Sequence, residues 1–295
     1  MITVAIPTYN RGPILLETVA RLQALDPPPA EILLVDQTAE HPADVQQLLA
    51  QLPASVRVIT LPEPSIPHAM NVALEEARTP LVLFVDDDII PSPALLREHA
   101  AAHDHASIWA VVGQVLQPGQ EPKHAEGDVH RGLLPDLAFP FNSDTACDVQ
   151  NVMAGNLSVV RERALAIGGF DENFSGVAYR FETDFARRIV VAGGRILYAP
   201  RASIRHLQIA SGGVRTYGDH RRSASPAHSI GDYYFARLHA PAFWPYVFTR
   251  MRRNVVTAYH LTHPWTIPAK LLGELRGLTG SARLVRAGRK LRNSG

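Results

Sequence analysis

One cysteine, Cys147, is all that the 295 residues contain. No disulfide can close within the chain, which fits a reducing compartment such as the cytoplasm. No run reaches about 18 apolar residues, so no transmembrane helix is expected. The opening MITVAIPTYN has no basic stretch ahead of its short apolar run and is not read as a secretory signal. Neither G-x-G-x-x-G nor G-x-x-x-x-G-K-[ST] follows the first strand-like segment, which argues against a dinucleotide fold and a P-loop. The chain has 13 histidines but no H-E-x-x-H spacing; His99 and His103, at i and i+4, are expected as solvated groups on an exposed helix. Acid is scarce at one end. Residues 237–295 hold eleven Lys/Arg and a single acid, Glu274, for a net +10, whereas the first 236 residues carry 18 basic and 27 acidic side chains, a net −9. A basic end behind an acidic body suggests an anionic partner, with a solvated helical face as the plainer reading.

What is present in the first half is alternation. Short apolar runs, ITVAI (2–6), EILLVD (31–36), VRVITL (56–61) and LVLFV (81–85), are separated by amphipathic stretches at 12–25, 42–52 and 68–78. Continuous apolar strands between helices predict a doubly wound α/β fold, its mainly parallel sheet covered on both faces. The second half is less regular. Strands are expected at 108–116, 156–160, 195–199 and 202–206, with helices at 161–169 and 180–194. Residues 117–148 are expected to form a long loop or lid. After His206 comes a loop and then a helical, aromatic and basic extension, with a boundary near 210 that divides the chain into 1–210 and 211–295.

The polar groups collect at strand ends. Thr8, Tyr9, Asn10 and Arg11 follow the first strand, Asp36 and Gln37 the second, and Asp86, Asp87 and Asp88 the fourth. In a parallel sheet these positions share one rim, where ligands bind. Three adjacent carboxylates at the lip of a core repel one another, so either a cation sits among them or the segment is a polar turn opening the next helix. A Mg²⁺ or Mn²⁺ ion there would neutralise a diphosphate without a glycine loop. Glu182 stands in the first turn of a predicted helix, whose dipole keeps a carboxylate ionised and suits it to act as a base. Asp184, four residues before Arg188, reads as a helix ion pair.

VAIPTYNR, LLVDQT, FVDDDIIP, MAGNLSVVRERALAIGGFDENF and FETDFARRI, in that order over residues 2 to 206, resemble the motifs of the family 2 glycosyltransferases, which have the GT-A fold. The resemblance implies inverting transfer of a sugar from a nucleoside diphosphate donor with the help of a divalent metal. Carried over by position, Pro7, Thr8 and Tyr9 line the base and ribose pocket, with Asp36 against the base. Asp86 and Asp87 serve the ribose and metal region, and Arg11 and Asn71 also fall to the donor. Asp88 and His206 are placed at the metal, and Glu182 becomes the general base. Gln37, Met70 and Phe181 depart from the family pattern.

Two rival enzymes share parts of this pattern: a D-x-D phosphohydrolase and a sugar nucleotidyltransferase. The first expects Thr or Val where Ile90 stands, and the second a basic, Gly-rich loop that PTYNRGP does not provide. A catalytically inert binding module is the third reading, and the intact acidic residues argue against it. The acceptor expected is a glycan or lipid-linked hydroxyl, as in polysaccharide and cell-envelope assembly. For the basic extension a membrane surface, at the inner face, is expected rather than nucleic acid. The alternative is that its arginines face the acidic body.

Overall fold

The computed structural model describes residues 1–125, 137–213 and 222–292. Most of the loop expected at 117–148 is therefore described, while its part at 126–136 and the 214–221 part of the loop after His206 lie outside the described residues.

The alternating first half folds as its pattern requires. Strands β1 (Ile2–Thr8), β2 (Glu31–Asp36), β3 (Val56–Thr60) and β4 (Leu81–Val85) are joined by helices α1 (Pro13–Gln23), α2 (Ala43–Ala50) and α3 (Ile66–Glu76). β2 and β4 flank β1, β3 flanks β2, and all three pairings are parallel. β2 is buried at every position, which its unbroken apolar run demands. Proline in the first turn opens α1 and α3, where the missing amide costs nothing.

Beyond β4 the sheet becomes mixed. A three-residue strand β5 (Ile89–Pro91) leaves the acidic turn, followed by α4 (Leu95–Ala102), β6 (Ile108–Leu116), β7 (Cys147–Val149), β8 (Asn156–Val160) and α5 (Arg161–Ala166). Then come α6 (Phe181–Val191) and β9 (Arg195–His206). The order is β3-β2-β1-β4-β8-β6-β9-β5, with β7 also on β9. β8 is antiparallel to both β4 and β6, and β9 runs parallel to β6. The two strands expected at 195–199 and 202–206 are one strand, with a register shift opposite Gly113/Gln114. β5 pairs antiparallel with the end of β9, setting Ile89 opposite His206. That pairing carries His206 back to the three aspartates.

The chain after 222 forms α7 (Ala227–His239), α8 (Phe243–Val255), α9 (Ala258–Thr262), a 3-10 turn (Pro264–Thr266) and α10 (Ile267–Ala287). These helices do not stand apart. Tyr234 and Phe235 of α7 are buried in the same apolar cluster as Phe170, Phe181 and Phe185. Burying each such ring contributes ~1.5–3 kcal/mol. The last residues are sewn down as well: Arg289 pairs with Asp184 at 2.7 Å, and Lys290 and Arg292 with Glu172 at 3.1 and 2.9 Å. The basic end of the extension thus faces the acidic body, and the extension shares a core with the sheet.

His99 corrects the sequence reading. It is fully buried, with Nδ1 2.9 Å from Ser158 Oγ and Nε2 2.8 Å from Asn156 Oδ1. His103 Nε2 lies 2.8 Å from the same Ser158 hydroxyl. Burial pushes both imidazoles down to about 4, so they stay neutral as hydrogen-bonding braces of β8. The physical reason is facing: His99 falls one turn after Leu95, on the helix side turned to the sheet.

Candidate active site

A cavity of about 530 Å³ opens at the carboxyl ends of β1 and β4. Its walls include Pro7, Thr8, Tyr9 and Arg11 from the end of β1, and Asp86, Asp87 and Asp88 from the end of β4. Glu182 from the first turn of α6 and His206 from the end of β9 complete it. Nine of the eleven residues singled out in the sequence therefore share one cavity. Asp36 and Asn71 do not line it. Asp36 is buried, accepts from the Thr38 amide at 2.9 Å and pairs with His41. Asn71, fully buried, accepts from the Phe170 amide at 2.7 Å and donates to the Phe170 carbonyl and to Glu172. Both are structural braces here, and Gln37 and Met70 reach the cavity in their neighbourhood instead.

The three aspartates have different environments. Asp86 is half-exposed toward the cavity. Its turn is possible because Gly155 lies beside it: a Cβ on Gly155 would stand 2.3 Å from Asp86 Oδ2. Asp87 is buried, accepts from Thr8 Oγ1 at 2.8 Å and forms an ion pair with Arg11 Nε at 2.9 Å. Burial pushes its carboxyl up to about 7 against the opposing pull of Arg11 and Thr8, with Asp86 and Asp88 adding to the rise. Asp88 is 1% exposed. Burial works to raise it too, but His206, the Ile209 amide and Arg11 outweigh burial and hold it below the usual carboxylate range.

The Asp88–His206 pair is the part of the site that tests for a metal. Gln117 Oε1 lies 2.9 Å from His206 Nδ1 and also accepts from Gln208 Nε2 at 2.8 Å, so Nδ1 carries the proton. His206 Nε2 then faces Asp88 Oδ1 at 3.0 Å, close enough for an ion pair but not aligned as a hydrogen bond. Asp88 Oδ1 is a buried oxygen without a hydrogen-bond partner. Two acceptors at that separation repel unless a cation stands between them, either the imidazolium proton or a divalent metal that displaces it. Aspartate oxygen and imidazole nitrogen suit Mg²⁺ or Mn²⁺ only with further oxygen ligands. Among the described residues no group of three His, Cys, Asp or Glu is placed to hold a metal alone. The residues fit an ion that completes its shell with phosphate oxygens and water.

Arg11 and the segment after β9 close one side. Arg11 Nη1 donates to the carbonyls of Ile209 and Ser211 while its other nitrogens reach Asp87 and Asp88. The Ile209 amide donates to Asp88 Oδ2 at 2.8 Å, and the Gly213 amide to the Tyr9 carbonyl. Asp184, by contrast, is fully buried against Arg188, His239 and Arg289 and does not line the cavity. It is the ion pair expected from its spacing, with two further partners. Sequence reasoning missed Gln117 and Gly155; the glycine in MAGN was a visible signal, while Gln117 carried none.

The sequence model of Glycosyl transferase family 2 matches residues 3–165, more than half of the chain. The chain belongs to that family and is a glycosyltransferase. Its fold agrees with solved GT-A structures. It is similar to GalNAc-T7 with UDP, GalNAc and Mn²⁺, at TM-score 0.65 and 12% identity over 100% of this chain and 59% of that one. This chain thus spans less than two thirds of that one. It is also similar to the mannosyltransferase PcManGT from Pyrobaculum calidifontis in complex with GDP-Man and Mn²⁺, at TM-score 0.56 and 19% identity over 97% and 79% of the two chains. S. aureus TarS 1-349 in complex with UDP-GlcNAc gives TM-score 0.61 and 17% identity over 94% and 81%. Comparison with curated proteins gives no match.

Proposed function

We propose that the protein transfers a sugar, with inversion, from a nucleoside diphosphate sugar to a hydroxyl of a glycan or lipid-linked acceptor. The observation that carries this reading is that Glu182 lines the same cavity as Asp86, Asp87, Asp88 and His206, although α6 and β4 are far apart in the chain. Nucleotide or nucleotide-sugar ligands in the named structures support the donor class, and Mn²⁺ in two of them supports a divalent cation.

In this reading the donor's nucleoside lies against Pro7, Thr8 and Tyr9, and Asp86 faces its ribose. Thr8 and Arg11 fix the Asp87 carboxylate, and Arg11 adds positive charge beside the diphosphate. Asp88 and His206 would hold Mg²⁺ or Mn²⁺, which when bound offsets the charge of the leaving diphosphate. Glu182 takes the proton of the acceptor hydroxyl as its oxygen bonds to the anomeric carbon. The bond from that carbon to the diphosphate breaks, and its electron pair leaves with the phosphate. Glu182 stands in the first turn of α6, where the N-terminal end of the helix dipole favours a carboxylate.

The test is release of nucleoside diphosphate from UDP- and GDP-sugars with Mn²⁺, for the parent and for Glu182→Gln. The reading expects turnover that depends on the cation and is lost in the variant while donor binding survives. Release of sugar 1-phosphate or nucleoside monophosphate instead would point to a hydrolase of the donor and contradict it. On this account the chain acts in the cytoplasm, peripheral to the inner face of a membrane.

A further inference from the structure

The one acid of the extension is out of sight. Glu274 is 0% exposed: it accepts from Tyr233 at 2.6 Å and from Arg250 at 3.0 Å, and pairs with Lys270 at 3.3 Å. From Pro241 to Ala287, therefore, no side-chain carboxylate reaches the surface among the described residues. Arg252, Arg253, Arg276, Arg283 and Arg286 do reach it.

The same helices carry large apolar groups exposed to solvent. Trp244 is 59% exposed, Phe248 67%, Leu261 71% and Trp265 70%. On α8, Trp244, Phe248 and Arg252 recur at i, i+4 and i+8 and so form one stripe, while Tyr246, Val247 and Arg250 face inward. On α10, Leu271 and Leu275 form an exposed row, and Leu272, Arg276 and Arg283 line up beside it. Trp265 projects from the 3-10 turn that joins these two helices through α9, at the end of a Tyr259–His263–Trp265 ring series with centroid spacings of 4.4 and 5.2 Å. The 3-10 turn packs against both α9 and α10, and α10 packs against α8, so the groups belong to one contiguous helical layer.

We infer that this layer is a docking face for an anionic lipid surface, with the rings and leucines in the headgroup layer and the arginines on lipid phosphates. Aromatic groups of this size exposed beside arginine, with no carboxylate between them, match that chemistry. A second copy of the chain fits poorly, because a self-complementary contact would set the same arginines against each other. No helix of the described residues is long and apolar enough to cross a membrane, so the contact is peripheral.

The face is also placed to matter for the acceptor. Arg250, on the inward side of α8, pairs with Asp232 of α7, and Asp232 accepts from Arg180 Nε at 2.9 Å. Arg180 is the residue before α6, held at a positive φ of 76°, and Glu182 follows two positions later. α8 packs on α7 and α7 on α6, which keeps the axis of α8 within two helix-packing distances, at most roughly 16–20 Å, of the helix that carries Glu182. The inference does not depend on which donor the cavity takes.

Flotation of the full chain with vesicles tests it. Vesicles of phosphatidylcholine alone are compared with vesicles containing 30% phosphatidylglycerol, at low and at high salt. Binding to the anionic vesicles alone, released by salt, is expected. Arg252→Glu/Arg253→Glu should weaken it by at least ~25-fold, about fivefold for each basic residue lost from the surface. Trp244→Glu/Phe248→Glu should abolish it, and both variants should keep parent melting temperatures because all four side chains are exposed. Three results overturn the inference: no binding at low salt, equal binding to neutral vesicles, or binding that ignores both double variants. A concentration-dependent dimer dissolved by Trp244→Glu/Phe248→Glu, without vesicle binding, would assign the face to a second copy instead.

Discussion

Replacing Asp184 by asparagine separates the structural carboxylate of α6 from the proposed base two residues earlier, Glu182. Asp184 Oδ1 sits 2.7 Å from both His239 Nε2 and Arg289 Nη1, and Oδ2 accepts from Arg188 Nε at 2.9 Å. Burial works to raise its carboxyl, but His239, Arg188 and Arg289 outweigh it and hold it at about 2, against an ordinary value of 3.8. A folded value below the unfolded one means the carboxylate stabilises the fold above about pH 4 and loses that contribution as the pH falls toward 2. A lowering of roughly two units is worth about 2 kcal/mol at neutral pH. Asparagine removes this and also leaves the half-buried Arg188 and Arg289 facing a neutral group, so the full cost should be ~3–5 kcal/mol. For a chain of this size that is a fall in melting temperature of about 6–10 °C. The assay is thermal unfolding of parent and Asp184→Asn between pH 7 and pH 3. The gap should narrow toward pH 3, and kcat measured well below the melting transition should stay within about threefold of the parent. A variant that melts with the parent at pH 7 would refute the stability argument. One that melts normally and loses transfer would make Asp184 the base.

Three other outcomes are expected. Glu182→Gln should leave the donor KM nearly unchanged and lower kcat by ~10²–10⁴, read in a transfer assay with saturating acceptor. Gly155→Ala puts a methyl group 2.3 Å from the Asp86 carboxylate; it should weaken donor binding in calorimetry by about tenfold, while an unchanged Kd would show that Asp86 does not meet the donor. His99→Ala removes a buried ring and strands Ser158 and Asn156. A loss of ~2–4 kcal/mol in denaturant unfolding is expected, and a near-neutral result would restore the view of a solvated histidine.

The parallel half of the fold was legible because each apolar run ends at a turn or proline and each intervening stretch has helical spacing. The mixed half was not. β5 is three residues long, and only its pairing with β9 makes it a strand. Nothing local in NLSVV tells that β8 runs antiparallel between β4 and β6. His99 was legible after all: it shares a face with Leu95, and taking it as exposed overlooked that spacing. For Asp36 and Asn71, position along the chain placed them at the rim, but their partners decided where the side chains went. Asp36 turned to His41 five residues on, and Asn71 to Glu172 about a hundred residues away. The excess positive charge of the extension was plain in the sequence. Only the fold shows that the sole acid is buried and that the last three basic residues, Arg289, Lys290 and Arg292, are spent on Asp184 and Glu172.

The central claim is a nucleoside diphosphate site whose cation rests on Asp88 and His206. Isothermal titration of UDP and GDP, each with and without Mn²⁺, into the parent and into Asp88→Asn tests it most directly. The account predicts that one diphosphate binds the parent at least about tenfold more tightly with Mn²⁺, and that the variant, folded by its melting curve, loses that gain. Equal cation-dependent affinity in parent and variant would contradict it.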